Sequence, residues 1–221
     1  MKTLAFILVG IVAASGCSKL FGPRVTDSGK QGSRTVAVGK GKALESFKRV
    51  ESRGSFDVEI KQGPQSDVVV EGDESIIKIV RLKVDGDTLI VDTQGSFSTS
   101  TRLVVKITMP TVEGVEMDGS GEATLTNVSG DKLDLDISGS GEIVASGKVK
   151  DLSARISGSG DIDATALESV DAKTNVSGSG SIRVFATKSL DADIAGSGGI
   201  QYKGSPQVKK DISGSGDVSP I

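Results

Sequence analysis

The sequence predicts an all-β protein built around a parallel β-helix, or solenoid, with coils of about 18 to 20 residues. The phrase Gly-Ser-Gly occurs six times in the second half of the chain, and its copies begin at positions 119, 139, 158, 178, 196 and 214. Aliphatic residues alternate with polar ones on both sides of each copy. Glycine makes up 29 of the 221 residues and aromatic residues only 3%, which favours tight turns around layers of small aliphatic side chains.

The first residues have the layout of a secretory signal. Lys2 precedes an apolar run at 4–12, and Ala14-Ser15-Gly16-Cys17 supplies small residues at a cleavage site. This segment resembles a bacterial lipoprotein signal peptide, 1–16, whose following residue, Cys17, becomes the lipid attachment site. Ala14 departs from the more usual leucine. A membrane helix, for which the run is short, and an ordinary secreted protein remain alternatives.

The mature chain is expected to begin with a flexible tether. The range 17–42 is rich in Gly, Ser, Lys, Arg and Thr and has little apolar periodicity. The only cysteine lies at the cleavage point, so no disulfide is possible within the chain. The predicted location is the bacterial cell envelope, with the protein anchored by lipid, most simply in the outer membrane, and with the membrane as a partner through that lipid.

The range 43–118 is predicted to be an N-terminal region of β-strands. Apolar and polar residues alternate around Phe56, Val68 and Val105, which is the period of half-buried strands. Gly63-Pro64 and Asp85-Gly86-Asp87 predict hairpin turns. The stretch 74–80 fits either one helical turn or a strand. The pattern leaves open whether this region forms its own sandwich or the first coils of the solenoid.

The range 112–221 is predicted to be the repeat solenoid itself, continuous with the strands before it. Each coil has one strand before the corner, one after it, and a third apolar position at Val128, Val149, Leu167 and either Phe185 or Ala186. A corner needs glycine because it visits positive φ or brings backbone close to the next coil. The corner serines would stack and could pass hydroxyl hydrogen bonds along the rod. The structural corner glycines are Gly119, Gly121, Gly139, Gly141, Gly158, Gly160, Gly178, Gly180, Gly196, Gly198, Gly214 and Gly216.

Several chemistries are disfavoured by the composition. Histidine is absent and the single cysteine is assigned to the lipid, which removes Ser-His-Asp and Cys-His catalysis and the usual zinc sites. The chain has 26 basic and 29 acidic residues, so it carries no excess of positive charge. Its sequence also shows no basic stripe of the kind that binds nucleic acid. The corners lack the helix that a phosphate loop needs. We therefore expect no nucleic-acid partner, no cofactor, no catalytic residues and no metal ligands.

Two activities remain as alternatives. Gly-x-Gly-x-Asp also occurs in calcium-binding β-rolls, although the acid position here reads Glu, Glu, Asp, Ser, Gly and Asp in the six copies. Glycan-degrading β-helices gather acids on one outer face. If equivalent positions stack, the two outward columns before the corners read Asp134, Ser153, Lys173, Asp191, Lys209 and Asp136, Arg155, Asn175, Asp193, Asp211. Opposite charges mostly adjoin in these columns, which is typical of a solvated face; Asp193 beside Asp211 is the exception.

Residues 44 to 218 resemble a bacterial family. The runs 47–50, 54–63, 70–74 and 104–110, together with the Gly-Ser-Gly series, are similar to the family called "putative auto-transporter adhesin, head GIN domain". The resemblance implies a right-handed β-helix-like fold and an envelope lipoprotein or secreted protein, and it brings no catalytic residues. The favoured hypothesis is a lipid-anchored, non-enzymatic module for structure, adhesion or binding, with a polysaccharide or protein ligand. A polysaccharide lyase or hydrolase and a calcium-dependent module are the alternatives.

Overall fold

The computed structural model describes residues 25–39, 41, 44–98 and 100–221. The predicted signal peptide, 1–16, and the predicted lipid site Cys17 lie outside these ranges. No helix occurs within them, and so none that is long and apolar enough to cross a bilayer.

The described residues form a β-solenoid of about five turns with further strands at its N-terminal end. The strands are β1 Val25–Thr26, β2 Gln31–Val36, β3 Arg49–Gly54, β4 Asp57–Gln62, β5 Val68–Asp73, β6 Val80–Asp85, β7 Thr88–Thr93, β8 Phe97–Ser98, β9 Val104–Met109, β10 Gly114–Gly119, β11 Glu122–Gly139, β12 Glu142–Gly158, β13 Asp161–Gly178, β14 Ser181–Gly196, β15 Gly199–Lys203, β16 Gln207–Gly214 and β17 Asp217–Pro220.

Successive coils pair in parallel with the corner glycines in register. Gly119 pairs with Gly139, and the ladder continues through Gly158, Gly178, Gly196 and Gly214. The irregular register steps fall within the segments 125–128, 144–146, 164–168 and 169–171, on the third side of the coil. Coils of different length are therefore accommodated away from the corners, and the predicted spacing of the repeat is the true coil length.

The interior is a stack of aliphatic layers, because inward positions alternate with outward ones along every strand. Leu135 and Ile143 are wholly buried, as are the smaller Ala154 and Ala192. The predicted third apolar position is also buried, but its members do not all lie in one column. Val128 pairs with Gly147, whereas Val149 pairs with Ser169 in the next column, because the register shifts on that side.

The N-terminal strands extend the solenoid and then cap it. Strands β3 and β4 pair in parallel with β10 and β11, and β7 and β9 pair in parallel with β3 and β4. This decides the question left open by the sequence, because the strands stack as first coils on a shared core and form no separate sandwich. Strands β6, β5 and β2 then add in antiparallel fashion.

Of the two predicted hairpins, the structure confirms one and contradicts the other. The hairpin at Asp85-Gly86-Asp87 is confirmed, since β6 and β7 are antiparallel neighbours. The hairpin at Gly63-Pro64 is wrong, because β9 lies between β4 and β5 and pairs with both. The alternating patterns of β4 and β5 predict strands correctly, but they carry no information about which third strand separates them.

The predicted flexible tether over 17–42 also needs correction where the structure describes it. Residues 31–36 form β2, which pairs antiparallel with β5, and β1 pairs with β8. The side chains of β2 are mostly polar and at most half-buried. The strand is therefore held by its main-chain ladder, which an apolar periodicity cannot reveal.

Asp73 ties this N-terminal segment to the end of β5. Its side chain is 1% exposed and accepts hydrogen bonds from the amides of Ser28, Lys30 and Ser75 at 3.0, 3.2 and 2.8 Å. The carbonyl of Asp73 accepts from the amides of Ile76 and Ile77, so residues 74–79 form a turn. The stretch that the sequence assigned to a helical turn or a strand is thus a capped turn.

We predict that the Asp73 contacts make the protein sensitive to acid. Burial alone would raise the pKa of Asp73, but hydrogen bonds involving Asp27, Ser75 and Ser28 outweigh it and hold the pKa well below its ordinary value. A depressed pKa in the folded state contributes stability above the unfolded pKa, about 3.9, and the contribution is lost as pH falls through the folded pKa.

The melting temperature of the unaltered chain should therefore decrease when the pH is lowered below about 4. Asp73→Asn should be less stable at pH 7 and should lose less on acidification, because the lost carboxylate can no longer be protonated. Asp217→Asn, at an exposed carboxylate, is the control and should follow the unaltered chain. The prediction would be contradicted if the melting temperatures of the unaltered chain and of Asp73→Asn fell by the same amount between pH 7 and pH 2.

Candidate functional site: the charged face

The outward side chains of the strands that precede the corners form one continuous surface, here called the charged face. Its first column runs Asp134, Ser153, Lys173, Asp191, Lys209, and its second runs Asp136, Arg155, Asn175, Asp193, Asp211. Both columns were predicted residue by residue from the repeat, and the register confirms them. The sequence placed these residues correctly because the corners pin the strands on either side.

The structure extends both columns toward the N terminus. Arg49 and Gly114 precede Asp134 in the first column, and Glu51 and Glu116 precede Asp136 in the second. These members were not among the residues predicted from the repeat. The available signal was the pair Gly54-Ser55, a seventh corner in which Phe56 replaces the second glycine; Gly54 is in register with Gly119.

Gly114 lets one side chain of this face reach across a coil. An added Cβ at Gly114 would lie 2.5 Å from the Arg49 guanidinium carbon. The Arg49 side chain therefore passes over the glycine, and its Nη1 donates to Asp134 Oδ2 at 3.1 Å. Lys132 Nζ lies 2.9 Å from the same oxygen.

Asp134 is consequently held in its ionised form. Burial raises its pKa, but hydrogen bonds from Lys132 and Arg49 outweigh burial, and the net shift is downward. A general acid needs the opposite shift. Asp134, 7% exposed, thus serves as the anion of an ion pair that joins β3 to β11.

Cations on adjacent coils pair with two other acids of the face. Arg155 Nη1 lies 3.2 Å from Asp136 Oδ1, and Lys209 Nζ lies 3.2 Å from Asp191 Oδ1. Asp193 and Asp211 are neighbours in register, as the sequence predicted. The pairs are those expected of a cross-strand charge ladder, whose members contribute about 0.2 to 1 kcal/mol each.

A like-charge group lies at the N-terminal end of the face. Burial and the nearby acids Glu51, Asp118 and Asp136 raise the pKa of Glu116. Across the described ranges, however, no three acids converge closely enough to hold a metal ion. The structural role predicted for the corner glycines depends on their backbone geometry.

Each corner uses its two glycines differently. The first has φ between 130° and 144° in the six copies, a region that other residues rarely adopt. The second has ordinary φ but packs against the coil below: a Cβ on Gly160 would lie 2.5 Å from the Gly141 carbonyl oxygen. The first glycine also approaches the neighbouring coil, since a Cβ on Gly158 would lie 2.3 Å from the Gly139 carbonyl oxygen. The first position therefore combines positive φ with close approach, and the second shows close approach alone.

The ladder at the corners is made of main-chain bonds. The Ser159 amide donates to the Gly139 carbonyl at 2.9 Å, and the Asp161 amide donates to the Gly141 carbonyl at 3.0 Å. The corner serine side chains are exposed, and the hydroxyl ladder predicted from their stacking does not form between them. The side chains point into solvent because the backbone, turned by the first glycine, bonds directly to the coil below.

A groove with a volume of about 390 Å³ follows the charged face beside β11, β12, β13 and β14. Carboxylates and cations both line it, among them Asp134, Arg155, Asp171 and Asp191. Lys173 lies within the groove and forms no ion pair with any residue that the structure describes. The groove therefore offers donors and acceptors spaced by coils, with one cation not committed to a neighbour.

The sequence profile of the family described as "Putative auto-transporter adhesin, head GIN domain" matches residues 46–206. The chain belongs to this family. The match covers strands β3 to β15, so the resemblance found in the sequence is confirmed. A comparison with curated proteins found no match.

Solved structures share the fold. A putative adhesin from Bacteroides fragilis is 23% identical, covers 89% of this chain and 100% of its own, and superposes with a TM-score of 0.70. A putative adhesin from Parabacteroides distasonis is 23% identical over 90% and 100% of the two chains, with a TM-score of 0.58. A putative lipid binding protein from the same organism is 22% identical over 90% and 100%, with a TM-score of 0.57. At these identities the likeness establishes the fold.

Proposed function

We propose that the protein is a lipid-anchored, non-catalytic adhesion module of the bacterial cell envelope, held in the outer membrane through Cys17, whose charged face binds a polysaccharide or protein ligand. Membership of an adhesin family supports the adhesive role. The signal at 1–16, ending before Cys17, supports the anchor.

The observation that carries the binding proposal is the arrangement of the groove. Asp134 and Asp191, which line the groove, are paired with cations that hold their carboxylate oxygens in place as hydrogen-bond acceptors. Lys173 supplies an uncommitted donor at the centre of the same groove. A rigid array of this kind binds without the ordering cost of a mobile loop.

The binding test uses purified protein on immobilised dextran, dextran sulfate and chitosan, which are neutral, anionic and cationic polysaccharides, and on fibronectin as a protein probe. At least one probe should be retained, and Lys173→Glu should weaken that binding about tenfold, or about 1.4 kcal/mol. Lys61→Glu, at another exposed lysine that forms no ion pair with a described residue and lies outside this groove, is the matched control and should bind normally. Retention of no probe, or equal binding by Lys173→Glu, would overturn the proposed site.

The anchor and the absence of catalysis are tested separately. Cells fed radioactive palmitate should label the full chain, and Cys17→Ala should lose the label. Any retained polysaccharide should be recovered at its original length by size-exclusion chromatography. Shortened chains would instead support the glycan-degrading alternative.

A further inference from the structure

The C-terminal end of the solenoid exposes positions that are buried in every coil beneath it. Strand β16 pairs with β14 alone and β17 with β15 alone, so within the described part of the chain each keeps one unpaired edge. Ile212 is 40% exposed, whereas Ile194, directly beneath it in register, is 2% exposed. This end therefore presents the main-chain and apolar groups on which a further strand would stack.

Lys210 occupies an inward position on that open edge. Its column includes Val115, Leu135, Ala154, Thr174 and Ala192, and each of these is at most 1% exposed. Lys210 is the charged member of the column, and its Nζ donates to the carbonyl of Val218 on β17. The ammonium group thus lies across the end of the hydrophobic interior.

The sequence of β16 is self-complementary about Lys210. If two copies of β16 run antiparallel around a two-fold axis through this residue, Lys209 faces Asp211 of the other copy and Val208 faces Ile212. Residues opposite each other in an antiparallel pair lie on the same side of the sheet. The ion pairs would then form on the charged face, and the aliphatic pairs would continue the interior.

The unfavourable pair in this register is Lys210 against Lys210. Both ammonium groups would be inward, at the junction of two apolar interiors, where an unpaired charge is costly. Charged side chains that point inward on an edge strand are a known means of preventing strand-to-strand association. Pro220 in β17 adds to this protection, since it has no amide hydrogen to donate.

We propose that the C-terminal end of the solenoid is a docking surface for the same end of a second copy of this chain, and that Lys210 keeps it closed. The partner is specified by the alternation of Val208, Lys209, Asp211 and Ile212, which matches itself in the antiparallel register. Removal of the Lys210 charge opens the surface.

The test is the mass of the purified full chain by analytical ultracentrifugation. The unaltered protein should be a monomer, and Lys210→Val should form a species of about twice the mass, reversibly and with increasing concentration. Lys209→Val, whose changed side chain is outward, should remain a monomer. If the valine variant is insoluble, Lys210→Thr replaces it in the test and should also form the dimer. Threonine is the residue at position 174 of the same column.

Charge variants test the register itself. Adding Asp211→Lys to Lys210→Val places like charges opposite Lys209 and should abolish the dimer; adding Lys209→Asp as well should restore it. A folded Lys210→Val variant that stays monomeric together with a monomeric Lys210→Thr would overturn the proposal. The proposal would also be overturned if the variants associated equally well whatever the charges at positions 209 and 211, because a non-specific contact would then explain the association.

Discussion

Ala192→Lys should abolish folding of the C-terminal coils. Ala192 is wholly buried, and in register it lies between Thr174 beneath it and Lys210 above it. A lysine at 210 is tolerated because its ammonium group lies at the open end and reaches the Val218 carbonyl. One coil further in, the same side chain would have no route to solvent, and the expected loss exceeds about 4 kcal/mol.

Circular dichroism and limited proteolysis of purified protein measure this loss. The matched control is Asp193→Lys, at the adjacent outward position, where the new cation faces Asp211 in register. The control should melt within about 2 °C of the unaltered chain, since outward substitutions change stability little. An Ala192→Lys protein with a normal melting temperature would mean that the interior at this level is open to water.

The repeat half of the fold was predictable because one local feature recurs. Glycine corners at known positions define the coil length, and the coil length alone places Asp134 beside Ser153 and Asp136 beside Arg155. The sequence also indicated that such a face holds itself together by charge pairs. The Arg49 contact was not predicted, because it depends on recognising Gly54 as the corner of a coil interrupted by the strands β5 to β9.

The capping strands were less predictable for a physical reason. A period of two identifies β4, β5 and β9 as strands but leaves their partners undefined, because pairing depends on contacts distant in sequence. Strand β2 is held by main-chain bonds to β5, and Asp73 anchors the segment before it through Ser28. Neither interaction leaves an apolar pattern, so this polar segment resembled a tether.

Gly160→Val should destabilise the protein by about 3 kcal/mol. The φ of Gly160 lies outside the positive region that favours glycine, so the cost arises from close packing. An added Cβ would lie 2.5 Å from the Gly141 carbonyl oxygen and 2.8 Å from Ile137 Cγ2. Valine would push the coils apart where the Asp161 amide donates to that same carbonyl at 3.0 Å, and a stretched bond between buried coils is costly.

Gly199→Val is the matched control for this corner. Gly199 also follows a Gly-Ser-Gly corner and starts a strand, but an added Cβ there meets nothing within 4 Å and its φ needs no glycine. Valine should be neutral or slightly stabilising at this position because it favours strands over glycine. Urea unfolding followed by circular dichroism measures both variants. Equal stability of the two variants would show that close approach between coils is not the reason for the second glycine of each corner.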